Sequence, residues 1–383
     1  MAIGVSIKKE IWQWALARAG TVLDDFVEKF PKLPLWVEGK QAPTLKQAQK
    51  FAQAVHIPFP YLLLDAPLDE KLPVADFRTI GNRTAGKPSL ELMDTILICQ
   101  QRQTWYSEHI REEGAHPLAF VGSLTLDTPV IEAAAAIRRE VGWNPREDAA
   151  AKDWQGAQTS FIEKVEKIGI LVMVSGIVGN DTHRKLSVDE FRGFALSDPW
   201  APLVFVNGAD TRAARLFTLA HEVAHVFLGQ SGVSDSGLER TDGGNVEKWC
   251  NRVAAEFLIP AAELKERVQG GAVLDKEQIA KLSSWFKVSR LVVIRRLHDE
   301  GLIAPRRYSE LWAQEIANLR AVRRPSGGGE FYRTQLARVS PTFASELIAT
   351  VLEGRESYVD AFRMLGISKT STFNEMRERL GVG

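Results

Sequence analysis

The chain has 383 residues, 45% hydrophobic and 25% charged, the composition of an ordinary folded protein with room for two or three domains. Its formal net charge of zero excludes a surface built as a whole to hold nucleic acid or anionic membrane, so any such contact must come from a local patch. Two cysteines make no disulfide framework, the N-terminus lacks the apolar core of a secretory signal, and no apolar run is long enough to span a bilayer; the chain reads as cytoplasmic, with no membrane partner.

Residues 1–70 read as a bundle of short helices. Ile11, Trp12, Ala15, Leu16 and Ala19 keep helical spacing up to Gly20; Leu23, Phe26, Val27 and Phe30 repeat it, and Leu45, Ala48, Phe51, Ala52 and Val55 repeat it again after Pro43-Thr44. Between the second pattern and Trp36 stands only Phe-Pro31-Lys-Leu-Pro34-Leu. Two prolines in four residues do not sit inside a helix, and Leu33 and Leu35 offer no hydrogen bonds to bases. Residues 1–75 hold nine Lys and Arg against eight Asp and Glu, so the positive field that dominates DNA affinity is missing. A protein-docking or dimerising module is the reading preferred here over a DNA reader.

Residues 71–158 read as an extended, Pro-bounded connector followed by helices over Leu90 to Ile110 and Pro129 to Val141. No motif with chemistry falls there. Trp105, Tyr106, Trp143 and Trp154 read as core or groove aromatics.

From 159 to 268 the pattern becomes a mixed α/β unit. A helix over Phe161 to Lys167 leads into strands at Ile168 to Val174, Phe191 to Leu196 and Leu203 to Asn207. Directly after them comes Arg215-Leu-Phe-Thr-Leu-Ala-His221-Glu222-Val-Ala-His225-Val-Phe-Leu-Gly229. On an α-helix His221 and His225 share one face and can direct two imidazole nitrogens at one divalent ion, with Glu222 beside them. Neutral nitrogen ligands suit zinc, and the adjacent carboxylate can take a proton from water, the division of labour in a zinc-dependent peptidase. Apolar residues on nearly every other face make this a buried helix, where two histidines and a glutamate need partners. Phe191 to Leu196 is the candidate edge strand to pair with an extended peptide, which makes Arg192, Gly193 and Phe194 candidate substrate contacts.

A catalytic zinc usually has three protein ligands and an open position. Asp235, Glu239 and Asp242 lie in a Gly- and Ser-rich stretch that reads as a loop with solvated carboxylates. Glu247 and Glu256 lie on a helix closed by Pro260. Glu247, one turn from Cys250 and Asn251, borders the buried face of that helix, whereas Glu256 points elsewhere; His183, Tyr308 and Arg192 remain open as oxyanion donors.

The order His221-Glu-x-x-His225, a Gly-rich loop, then Glu247-x-x-Cys-Asn251-x-x-Ala-Ala-x-x-Leu-Ile-Pro260 resembles the ImmA/IrrE-type metallopeptidases of bacteria, mobile elements and phages over about residues 160–265. Trp36-Val-Glu-Gly39-Lys-Gln-Ala-Pro43-Thr-Leu45 similarly resembles the third-helix exit and turn of repressor-like (Xre-type) helix-turn-helix domains. The resemblance implies His221, His225 and Glu247 as zinc ligands, with manganese the other candidate metal, and Glu222 as general base. It implies an endopeptidase acting on a repressor or a co-encoded regulatory or toxin protein. The alternative it leaves is an antitoxin-like or transcriptional binding protein in which proteolysis is secondary or absent.

Residues 269–383 read as a C-terminal helical region with winged or helix-turn-helix-like units. Between Phe286 and Ser340 eleven Lys and Arg face five Asp and Glu, concentrated in Arg295-Arg296, Arg306-Arg307 and Arg323-Arg324, which reads as a solvated face or an acidic-partner surface ahead of nucleic acid. The expected fold is α+β and predominantly helical: a helix-turn-helix-like bundle, a zincin-like metallopeptidase domain with a small sheet, and the C-terminal helices.

Overall fold

The computed structural model describes residues 4–68, 72–76, 88–148, 153–234, 244–268, 274–321 and 331–383. The protein is α+β and predominantly helical, and it divides into two compact units, Met1–Pro73 with Gly86–Asp94 and Val74–Ala85 with Thr95–Gly383.

The first unit contains α1 (Lys9–Arg18), α2 (Leu23–Val27), α3 (Leu33–Val37) and α4 (Leu45–Ala54). Trp12 anchors its core, edge-on to Phe51 and stacked on Trp36, with Ile11, Ala15, Leu33, Ala48 and Val55 buried around it. Thr44 and Gln47 form a reciprocal capping box that starts α4. A helix exists where the two prolines argue against one. Pro34 lies in the first turn of α3, where its missing N–H has no intrahelical partner to lose, and Pro31 stays in the turn before it. The consequence is a third helix of only five residues.

In the second unit β1 (Ala75–Asp76) precedes a helical run of α5 (Leu90–Glu112, whose first turn belongs to the first unit), α6 (Val130–Val141), α7 (Pro145–Asp148) and α8 (Trp154–Lys167). Then come β2 (Leu171–Ser175), β3 (Gly193–Leu196), β4 (Leu203–Asn207), α9 (Arg212–Phe227), β5 (Gly232–Ser234) and α10 (Asn245–Leu258). The sheet order is β1-β5-β3-β4-β2, with antiparallel pairing of β3 to both neighbours and parallel pairing of β1 to β5 and β2 to β4. Alternation sets its two faces. Val172, Val174, Ala195, Val204 and Val206 enter the same core as α6, α8, α9 and α10, whereas Met173 on the other face meets Cys99 and Arg102 of α5. A sheet covered on both faces explains why β2 and β4 read as continuous apolar runs.

The expectation that Phe191 to Leu196 forms an edge strand is overturned. Gly232–Ser234, inside the stretch read as a loop, pairs with β3 on one side while β4 pairs on the other. A three-residue strand is too short to show a period in sequence, so its pairing partner alone creates it.

Beyond α10 the chain continues through α11 (Ala261–Val268), α12 (Lys276–Phe286), α13 (Arg290–Asp299), α14 (Pro305–Ala321), α15 (Phe331–Val339), α16 (Pro341–Leu352), α17 (Tyr358–Leu365) and α18 (Thr370–Leu380). Lys287, between α12 and α13, takes the left-handed conformation as the C-cap of α12. The reading of Arg295-Arg296 as a solvated pair holds for one member only. Arg295 reaches Asp299 one turn on, but Arg296 is buried, paired with Glu256 of α10, and donates to the Ile259 carbonyl. Arg296 thereby ties α13 to the end of α10. Arg323, Arg324 and the Ser326-Gly-Gly-Gly329 linker expected there lie outside the described residues.

Candidate metal centre

Helix α9 is specified locally. Thr211 caps its first turn by accepting from the Ala214 N–H, and Gly229, in the left-handed conformation, follows its end. Between these ends Leu216, Phe217, Leu219, Val223, Val226 and Phe227 are buried, each stabilising the packed helix by about 1.5–3 kcal/mol. That burial carries His221, Glu222 and His225 with it, all at 0% exposure. α10 packs alongside through Cys250, Val253 and Ala254, and its first turn supplies Glu247, at 4% exposure.

The side chains converge tightly. His221 Nε2 and His225 Nε2 are 3.0 Å apart, and the Glu247 carboxylate lies 3.3 Å from the first and 3.0 Å from the second. Among the described residues these three form the group able to hold a metal ion. A tetrahedral ion with bonds of about 2.0–2.1 Å separates its ligands by roughly 3.3–3.4 Å, so the donor set fits zinc in both chemistry and spacing. Two imidazoles and a carboxylate, dehydrated at this distance, also call for a cation to offset the cost of burial.

Glu222 lies against the cluster. Ser234 Oγ of β5 donates to Glu222 Oε2 at 3.4 Å, while Glu222 Oε1 is buried with no hydrogen-bond partner among the described residues. Burial pushes the Glu222 carboxyl well above the ordinary carboxylate range and the neighbouring Glu247 charge adds to this, against the hydrogen bond from Ser234. Glu247 moves the other way. Burial opposes its ionised form, yet the charges and hydrogen bonds of His221 and His225 hold it well below the usual range. Burial lowers the affinity of His225 for a proton, with Glu247 opposing. Two carboxylates in one dry pocket are thus driven apart, one toward holding a proton and one toward ionisation.

The remaining sequence candidates go elsewhere. Glu256 is committed to Arg296 and to the Ala261 N–H, and Asp235, Glu239 and Asp242 lie outside the described residues. Arg192 pairs with Asp210, and Tyr308 is stacked on His298. Phe194 is fully buried, stacked on Phe205 4.9 Å away. Gly193 does reach the site, from β3: a Cβ there would meet Glu222 Oε1 at 2.8 Å, Thr218 Cγ2 at 2.7 Å and the Phe205 carbonyl at 2.8 Å. Its role in the fold is to leave room for Glu222. Ser234 is the residue that sequence reading missed; its only local signal is a single β-branched Val233 between Gly232 and itself.

Comparison with known families agrees with this location. Residues 165–298 match the family model Peptidase_M78, the IrrE N-terminal-like domain, and residues 339–379 match that of a domain of unknown function, DUF8813. No curated protein matches the chain. The first match contains β2 through β5, α9 and α10, and so the whole cluster. The segment that carries the buried histidines is thus similar to the IrrE N-terminal-like peptidase domain.

Proposed function

We propose that this protein is a zinc-dependent endopeptidase that cleaves a regulatory protein, a repressor or a co-encoded partner, with manganese as the other candidate metal. The observation that carries the reading is Glu222. A buried carboxylate with one oxygen unpartnered among the described residues, beside a three-donor metal cluster, supports a role in proton transfer. His221, His225 and Glu247 would hold the ion, which when bound polarises a scissile carbonyl and acidifies water. Glu222 accepts the proton of the attacking water and returns it to the leaving amide nitrogen. Exclusion of bulk water by the surrounding α9, α10 and β3 strengthens each of these interactions.

The similarity of residues 165–298 to a peptidase family supports the reaction class. The choice of a regulatory protein as substrate rests on the resemblance to ImmA/IrrE-type enzymes and on the helical modules that flank the peptidase segment. Incubating wild type and Glu222→Gln, each with zinc or manganese, with the products of neighbouring genes tests both parts. A fragment pattern produced by wild type and absent with Glu222→Gln is expected. Identical patterns from the two proteins would refute proteolysis by this site.

A further inference from the structure

Ser234 stands beside the candidate ligands with three long hydrogen-bond contacts and no short one. Its Oγ is 3.3 Å from His225 Nε2, 3.5 Å from Glu247 Oε1 and 3.4 Å from Glu222 Oε2. A hydroxyl committed to one acceptor closes to about 2.7–2.8 Å; this one is fully buried and close to none of its three neighbours. Its separations from His225 and Glu247, two of the three candidate ligands, are instead close to the 3.0–3.3 Å spacings among those three. That is the spacing of donors around one tetrahedral ion, roughly 3.3–3.4 Å.

The backbone holds the hydroxyl there by register. Ser234 is the cross-strand partner of Gly193, so the two residues address the same face of the sheet. Gly193 has no side chain, and Glu222 occupies the space over it. The next strand then delivers the Ser234 hydroxyl to the flank of that carboxylate, on the side of the histidines.

We propose that Ser234 is a fourth protein donor to the metal in the resting enzyme, so that the site is closed until the attacking water displaces the hydroxyl as substrate binds. This rests on the metal-dependent reading above. Catalytic zinc sites usually keep one position for water; here a neutral, weakly held oxygen of the chain takes it, without adding charge. Cobalt(II) reports the difference directly. Replacing Ser234 by cysteine puts a thiol where the hydroxyl is, and a thiolate that binds cobalt produces an ultraviolet sulfur-to-metal charge-transfer band.

The expected result is that band in cobalt-loaded Ser234→Cys and its absence in wild type and Ser234→Ala. Release of cobalt to a chelator from Ser234→Ala should be about tenfold faster than from wild type, the lower end of what loss of a supporting donor does to metal affinity. Stoichiometric cobalt in Ser234→Cys without the band overturns the proposal, as does release from Ser234→Ala at the wild-type rate. Failure of wild type itself to bind cobalt would overturn the metal centre as a whole, an outcome distinct from a loaded centre that ignores residue 234.

Discussion

Gly193→Ala isolates the geometry of Glu222, the proposed general base, from the rest of the site. The added methyl would lie 2.7 Å from Thr218 Cγ2 and 2.8 Å from both Glu222 Oε1 and the Phe205 carbonyl, against about 3.5–4.0 Å for relaxed carbon contacts. Close to an ångström must be found. The Phe205 carbonyl belongs to β4, paired on both sides by β2 and β3, and Thr218 sits on the buried helix α9. The group with freedom to turn is the Glu222 carboxylate. Overpacking of this kind costs about 1–3 kcal/mol, a fall in Tm of roughly 2–5 °C for a unit of this size. Because the three metal ligands make none of these contacts, metal content should stay at the wild-type level. Turnover should fall by about 100-fold or more, the scale of a displaced general base, and the loss should appear in kcat rather than KM. Melting curves, metal analysis and cleavage kinetics on one preparation read all three. Wild-type kcat with a raised KM would refute the packing argument and restore Gly193 as a substrate contact.

Glu222→Gln should abolish cleavage while retaining metal, and the metal-free variant should be the more stable protein toward alkaline pH. The folded-state pKa of Glu222 is raised, so its contribution is fully present below the ordinary carboxylate pKa and lost as pH rises through the folded value. Melts of both metal-free proteins across that range check it, and a gap that narrows with rising pH contradicts the sign. Glu247→Ala should lose the metal. Glu256→Ala should keep it yet lose about 1–3 kcal/mol of stability, because buried Arg296 loses the Glu256 carboxylate and keeps only Glu300 and the Ile259 carbonyl; denaturant titration and metal analysis separate the two. Removing metal from wild type with a chelator should lower stability by about 2.7 kcal/mol if the ion was present at a hundred times its Kd, or roughly 4 °C in Tm. Glu247→Ala should not respond to the chelator at all.

Much of the candidate site is legible in the sequence because helix geometry is local. The four-residue spacing of His221 and His225 puts them on one face whatever surrounds them, and the apolar residues of α9 announce that this face is buried. Glu247 could be chosen over Glu256 from the apolar stripe of a single helix, and the two carboxylates do part ways, one toward His221 and His225 and the other toward Arg296. Arg296 itself was not legible. One charged residue in a basic stretch carries no mark of its burial, which follows from where α13 lands on the end of α10.

The strands show the same division. β2 and β4 are readable as apolar, β-branched runs, since a strand buried on both faces needs no partner to declare itself. Whether β3 lies at an edge depends on a neighbour, and that neighbour is three residues long, Gly232–Ser234, shorter than any period that could reveal it. From sequence alone this protein carries a helix with two histidines and a glutamate spaced as candidate metal ligands and base, followed by a second helix with a candidate third ligand. Only the tertiary structure puts Gly193 beneath Glu222 and Ser234 beside the ligands, because both placements arise from pairing between strands distant in the chain, for which no local pattern is required.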